Sequence, residues 1–217
     1  MSEKDQDAKL AIISIRPIRE DDVQAIFAAV RESLAELSPW MPWCHPHYSI
    51  AETIEYVTSR REAWAKEREY AFAIIDEATG RFLGGVGLNQ INPMYRIANL
   101  GYWVRTSASG RGVATIAARQ AAQFGLEAVG LQRIEIVAAT GNVASQRVAA
   151  KVGAQREGVL RKRLSASGQP VDAVMFSLVS EDLLSVSDGR ASDTAATPAE
   201  QYSERWKYGC NPLRSWL

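Results

Sequence analysis

Residues 104–120 read VRTSASGRGVATIAARQ, and the way this stretch divides decides the fold. Before it, LGYWVR alternates in the period of a strand; after it, an alanine-rich run continues to about Val129 and stops at Gly130, as a helix does. The stretch is therefore a tight turn that hands a strand over to a helix. A helix N-terminus exposes unbonded N–H groups and the positive end of its dipole, so a preceding turn of small residues can cradle a phosphate. Gly110 and Gly112 permit close approach, Ser107 and Ser109 can cap the helix or bond the anion, and Arg111 adds charge. The spacing is neither Gly-x-x-x-x-Gly-Lys-Ser/Thr nor Gly-x-Gly-x-x-Gly. Taken alone, it reads equally well as a plain capped turn.

Working outward, Ile12–Ile18 alternates like a strand, and the acids Glu20, Asp21 and Asp22 open a helix expected to run to about Leu37. LSPWMPWCHPHYS, with three prolines, is a loop carrying large rings, and a second helix follows over residues 50–69. Residues 70–76 and 81–91 read as a hairpin, and 97–105 as the strand before the glycine turn. After the alanine-rich helix come a strand over 131–139, a short helix opened by Asn142 and Ser145 and closed by Gly153, and two strands joined by SASGQP. The order suggests an α+β fold with a mostly antiparallel sheet and one helical crossover. Residues 1–10 are expected to be a disordered N-terminus, 11–184 the folded domain, and 185–217 a tail that is either disordered or docked through Trp206, Tyr208 and Trp216.

Composition narrows the function. Of 217 residues 47% are hydrophobic and 23% charged, with 25 Lys+Arg against 25 Asp+Glu, so no global basic field points to nucleic acid or an anionic membrane. No apolar run approaches the roughly 20 residues of a membrane helix, and the expectation is a cytoplasmic protein. Cys44 and Cys210 are expected as free thiols. Cys44, His45 and His47 lack a fourth ligand and match no closed zinc pattern, so no metal is expected.

Three linked signatures sharpen the turn: LGYWVRTSASGRGVATIAAR, then Asn-x-x-Ser at Asn142–Ser145, then KVGAQREG at 151–158. Together, over about residues 12–180, they resemble the GNAT N-acetyltransferase superfamily, in particular its ribosomal-protein N-terminal-residue (Rim-type) branch. The resemblance implies a central sheet of six to seven strands flanked by about four helices, with a splayed strand pair holding acetyl-CoA, and an amine as acceptor. It places Trp103, Val104 and Arg105 on the splayed strand, with the Val104 N–H facing the acetyl group. The cradle for the pyrophosphate runs over Ser109, Gly110, Arg111, Gly112, Val113 and Ala114, while Ser107 stands where the family carries a long Gln or Arg. Asn142 is implied to hold the pantetheine amides, with an ordinary cap as the other reading. Ser145 is implied to assist departure of the thiolate, again against a capping role. Lys151, with Arg147, either meets the nucleotide phosphates or forms a solvated face.

The acceptor side is less defined. A free α-amine has a pKa of about 8 and lysine about 10.4, so near pH 7 roughly a tenth of the former is neutral but well under a thousandth of the latter. An α-amine needs little more than a water relay. Asn99 and Leu164 are uncharged where some relatives carry an acid; Glu157 and Asp172 remain candidate bases, with ion pairing to Arg156, Arg161 or Arg163 the favoured reading for either. Trp40, Trp43, His45, Tyr48, Asn89 and Asn99 are the candidates for the acceptor pocket, since amphipathic rings can enclose an amine. The leading expectation is direct transfer from acetyl-CoA to a protein N-terminus or a small-molecule amine, with a possible homodimer. A non-catalytic acyl-CoA-binding or interaction module with the same fold is the alternative.

Overall fold

The computed structural model describes residues 12–184. Seven strands form one sheet in the order β1-β2-β3-β4-β5-β7-β6: β1 (Ile13–Pro17), β2 (Tyr70–Asp76), β3 (Phe82–Asn92), β4 (Ile97–Val104), β5 (Arg133–Ala139), β6 (Gln155–Ala166) and β7 (Gln169–Leu178). Every pairing is antiparallel except β4 with β5. That single parallel step is the helical crossover, carried by α4 (Val113–Gln123). The remaining helices are α1 (Val23–Glu32), α2 (Leu34–Leu37), α3 (Ile50–Ala65), α5 (Val143–Val152) and α6 (Ser180–Leu184). The expected mixed, mostly antiparallel architecture is present, with seven strands and six helices among the described residues. The expectations for residues 1–10 and for the tail lie outside them.

Both faces of the sheet centre are buried, and β2 shows it residue by residue. Phe72 and Ile74 join Leu88, Leu100, Ile134 and the alanines of α4 in one core, whereas Ala71 and Ala73 join Ile26, Val30 and Val57 of α1 and α3 in a second. Alanines at 117, 118, 121 and 122 let α4 lie close to the strands.

Three helix boundaries differ from the sequence reading. The first helix breaks at Ser33, whose hydroxyl donates to the Ala29 carbonyl at 2.8 Å and accepts the Thr106 amide at 3.0 Å. The second stops at Ala65. The third changes after Gln123 into a π-helical turn, Phe124–Ala128. There Gly125 lies so close to the sheet that a Cβ would stand 2.7 Å from Leu88 Cδ1 and 2.9 Å from Ile134 Cδ1. Tight packing on the sheet, rather than local propensity, sets the end of that helix.

Candidate functional site

The parallel ladder between β4 and β5 is short. Ile97, Ala98 and Asn99 pair with Arg133, Ile134 and Glu135, and the register ends there. Beyond it Leu100–Val104 stays paired to β3 alone, so β4 and β5 open into a cleft toward the helix end of the sheet. The Arg105 N–H donates to Leu83 O on the β3 side at 2.8 Å. Backbone groups alternate along a strand, so the Val104 N–H is directed the other way, into the gap.

The glycine turn closes that gap. Gly112 adopts the left-handed conformation (φ 79°, ψ 0°) as the residue before α4, and no side chain caps the helix. Nothing lies within 4 Å of where a Cβ at Gly110 or Gly112 would project. The first amides of α4, from Val113 and Ala114, thus meet open space at the positive end of an 11-residue helix. An uncapped helix start beside a splayed strand pair fits a pyrophosphate carried on an extended amide-containing arm.

A network fixes the approach to this turn. Arg105 Nε donates to Glu32 Oε2 at 3.0 Å, the Ser107 N–H donates to Glu32 Oε1 at 2.9 Å, and Thr106 Oγ1 donates to Glu36 at 2.9 Å. Arg81 donates to Ser107 Oγ at 2.9 Å. The Arg105 guanidinium, with the Ser107 donors, pulls the Glu32 carboxyl down to about 2. The Arg105 side chain is therefore committed to α1 and is not free for a cofactor. Ser107 is likewise engaged, and the open edge of the turn begins at Ser109.

Asn142 and Ser145 sit across the gap at the start of α5. Asn142 Oδ1 accepts the Ser145 N–H at 3.0 Å, so the carboxamide oxygen serves as the helix cap and only its NH2 group faces elsewhere. The Ser145 hydroxyl lies 3.1 Å from the Tyr102 hydroxyl, which donates to the Ser145 carbonyl at 2.9 Å. A phenol has one proton, so Ser145 is the donor of that pair. Burial pushes the Tyr102 phenol up to about 12 and keeps it protonated. Sequence reasoning missed Tyr102; its place one residue before Trp103, on the opposite face of β4, was the available signal. Lys151 and Arg111 are exposed, with no ion-pair partner among the described residues.

On the opposite face of β3 and β4 lies a cleft of about 630 Å³ walled by the α2–α3 loop and α3. Trp43, His45, Tyr48 and Asn89 all line it. Trp103 lines it too: its ring meets Trp43 edge-on at 5.9 Å and Phe82 at 5.8 Å, so its side chain lies on this cleft's side and not in the β4–β5 gap. Asn99 stands behind Asn89, donating to its Oδ1 at 2.9 Å. Trp40 stays out of the cleft and covers the β5–α5 turn, with its ring 3.4 Å from where a Gly141 Cβ would lie.

The lining carboxylates, missed in the sequence, are Glu52 and Glu69. Glu52 accepts from the Ser49 hydroxyl at 2.7 Å and meets His45 Nε2 at 2.8 Å, and these bonds hold its carboxyl below the usual range. Glu69 pairs with Arg60, which lies over the Tyr56 ring. Neither carboxylate is unengaged. Cys44 is buried behind the cleft and burial pushes its thiol up. Glu157 pairs with Arg133 at 2.6 Å rather than with a β6 arginine, and Asp172 accepts the backbone N–H of Lys162 at 2.8 Å. No group of three or more His, Cys, Asp or Glu among the described residues could hold a metal, and no helix there is long and apolar enough to cross a membrane.

Comparison with known proteins gives this geometry a family context. The acetyltransferase (GNAT) domain model matches residues 13–155. A putative ribosomal N-acetyltransferase of Bacillus subtilis, YdaF, is 27% identical over 176 residues, covering 78% of this chain and 92% of its own. An uncharacterized N-acetyltransferase of the same organism, YoaA, is 28% identical over 165 residues, covering 76% and 92%. Among solved structures, Mycobacterium smegmatis RimJ in complex with CoA-disulfide superposes with a TM-score of 0.70 at 27% identity, covering 79% of this chain and 83% of that one.

Proposed function

From the premise that the chain belongs to the acetyltransferase (GNAT) family, we propose that it transfers acetyl from acetyl-CoA to a primary amine, the α-amine of a polypeptide N-terminus before any other. Acetyl-CoA supplies an activated thioester carbonyl to which an amine can add. The residues that would hold it are the open amides of Gly110, Gly112, Val113 and Ala114 at the phosphates, with Ser109 and Arg111 beside them, Asn142 and Ser145 along the arm, and Lys151 at the nucleotide end. The observation that carries this reading is the gap: a ladder that ends at Asn99 and Glu135, with the Val104 N–H directed into the opening and an uncapped helix at its end.

Each group then has a task. The Val104 N–H donates to the acetyl oxygen as negative charge develops there. The Ser145 hydroxyl, held at the gap by Tyr102, turns its hydrogen bond from that phenol to the departing sulfur, and the proton shed by the acceptor amine neutralises the thiolate through water. Trp43, Tyr48 and Trp103 wall the acceptor amine, while Asn89, backed by Asn99, bonds it or its water. With Glu52 and Glu69 both engaged, deprotonation passes through water. That suffices for an α-amine, about a tenth of which is already neutral near pH 7, and not for lysine.

Relatives support the acceptor class by their descriptions, YdaF as a putative ribosomal N-acetyltransferase among them. The test is thiol release from acetyl-CoA across a panel of N-terminal peptides, lysine side-chain peptides and small amines. Release with α-amine peptides is expected; binding of CoA with no release on any acceptor would return the chain to the non-catalytic alternative. Transfer is direct, so Cys44→Ala should leave turnover within about twofold, a buried thiol raised by its surroundings being a poor nucleophile. Self-association as a homodimer belongs to the same reading and is checked by the mass per particle in light scattering.

A further inference from the structure

The β6–β7 ribbon carries a feature the transfer reaction does not use. β6 is an edge strand of the sheet. Its pairing with β7 jumps from Leu160↔Ala173 to Leu164↔Val171, so Arg161, Lys162 and Arg163 all stand opposite the single residue Asp172. The three form a wide bulge. Lys162 is left-handed (φ 51°), and Asp172 spends its carboxylate on the Lys162 backbone N–H at 2.8 Å. The one acid facing the bulge is thereby used to hold its shape rather than to neutralise a side chain. All three basic residues are exposed, and none has an ion-pair partner among the described residues. In the same strand Val159 and Leu160 are 46% and 36% exposed.

The bulge is connected to the acceptor cleft. At the ribbon tip the Ser167 N–H donates to Pro39 O at 3.2 Å, in the segment that continues through Trp43 into the cleft wall. From Arg163 to Ser167 is four residues, about 13 Å of strand. A chain that leaves the cleft past the Pro39–Ser167 contact would run along the ribbon that carries the bulge.

We propose that the Arg161–Arg163 bulge docks an acidic segment of the polypeptide acceptor, downstream of the α-amine that the cleft receives. This rests on the α-amine reading above. Three consecutive unpaired cations on an edge strand complement acidic side chains, the free strand edge offers backbone hydrogen bonds, and Val159 and Leu160 offer apolar contact. A nucleic acid fits less well: the chain is charge-balanced overall, and the lysine and two arginines of the bulge carry no ring on which a base could stack.

The test uses two peptides with the same first three residues, one followed by Asp and Glu and the other by Ser and Asn, with the wild type and Arg161→Ser/Arg163→Ser. At low salt the wild type should show a KM about fivefold lower for the acidic peptide at equal kcat, the size expected of a few exposed ion pairs. The preference should vanish in the variant and at high salt, and turnover of a small amine should be the same in both proteins. Equal KM values in the wild type, or a preference that survives in the variant, would overturn the docking. Tight binding of a single-stranded homopolymeric RNA that the acidic peptide does not displace would also overturn it, in favour of nucleic acid. Fluorescence anisotropy of the labelled acidic peptide separates this proposal from the one beneath it. Binding that needs Arg161 and Arg163 without acetylation would refute the acceptor reading, whereas acetylation without charge preference would refute the docking alone.

Discussion

The two faces of β4 make their sites from different materials. The face toward β5 and α4 is backbone: a strand amide, a left-handed glycine and the uncapped first turn of a helix. The face toward α1 and α3 is side chain: rings that include Trp43, His45, Tyr48 and Trp103, and two carboxylates that already have partners. Backbone groups cannot be exchanged by single substitutions, whereas the side chains of the second face can. Arg105, Thr106 and Ser107 join the two, because the end of α1 grips the segment that enters the turn.

Substitutions that touch one face and spare the other would break or sharpen this contrast. Gly112→Asp should have the largest effect. Its Cβ meets nothing within 4 Å, so the cost to the fold is near the 1–2 kcal/mol of a left-handed residue. A carboxylate roughly 5 Å from a phosphate costs about 3 kcal/mol at an effective dielectric of about 20, or about a hundredfold in CoA affinity. Calorimetry with CoA on a variant with wild-type circular dichroism reads this, and an unchanged affinity would remove the turn from the cofactor site. Tyr102→Phe comes next. Losing the partner that orients Ser145 should lower kcat about tenfold with CoA affinity unchanged.

On the other face, Trp43→Ala removes a ring that is 41% exposed and touches Trp103 and Tyr48. It should raise the acceptor KM about fivefold and leave CoA binding alone. A loss of CoA affinity instead would show that the faces are not separable. The smallest effect belongs to the joint. Glu32 has its carboxyl lowered from 4.5 to about 2 by Arg105, so its contribution to stability is present above pH 4.5 and fades as pH falls toward 2. Glu32→Gln should cost about 1 kcal/mol in urea unfolding at pH 7, discounted for solvent screening. The difference from wild type should close by about pH 2.

Local pattern made much of this legible. The strand–turn–helix at 97–129, the hairpin at 70–91 and the Asn142 cap depend on neighbours in sequence, and the residues there show their periods and turn chemistry directly. The failures are long-range. Arg105 looked available because Glu32, its partner, lies 73 positions away. The face of β4 that the Trp103 ring takes was not legible locally, because only the packing of Phe82 and Trp43 shows it. The carboxylates of the cleft were missed because nothing in Ser49–Glu52 or Arg60–Glu69 says that α3 packs on β2.

The sequence by itself determined that a glycine-containing turn hands a strand over to a helix, since turn chemistry and periodicity act within a few residues; that no side chain caps this helix is a structural outcome. Tertiary structure alone decided that β4 and β5 part after Asn99 and which side chains line the cleft beside α3. It also decided that Asp172 holds the Lys162 amide instead of neutralising a cation. Those outcomes depend on strand register and helix packing, which are settled by contacts among residues distant in the chain.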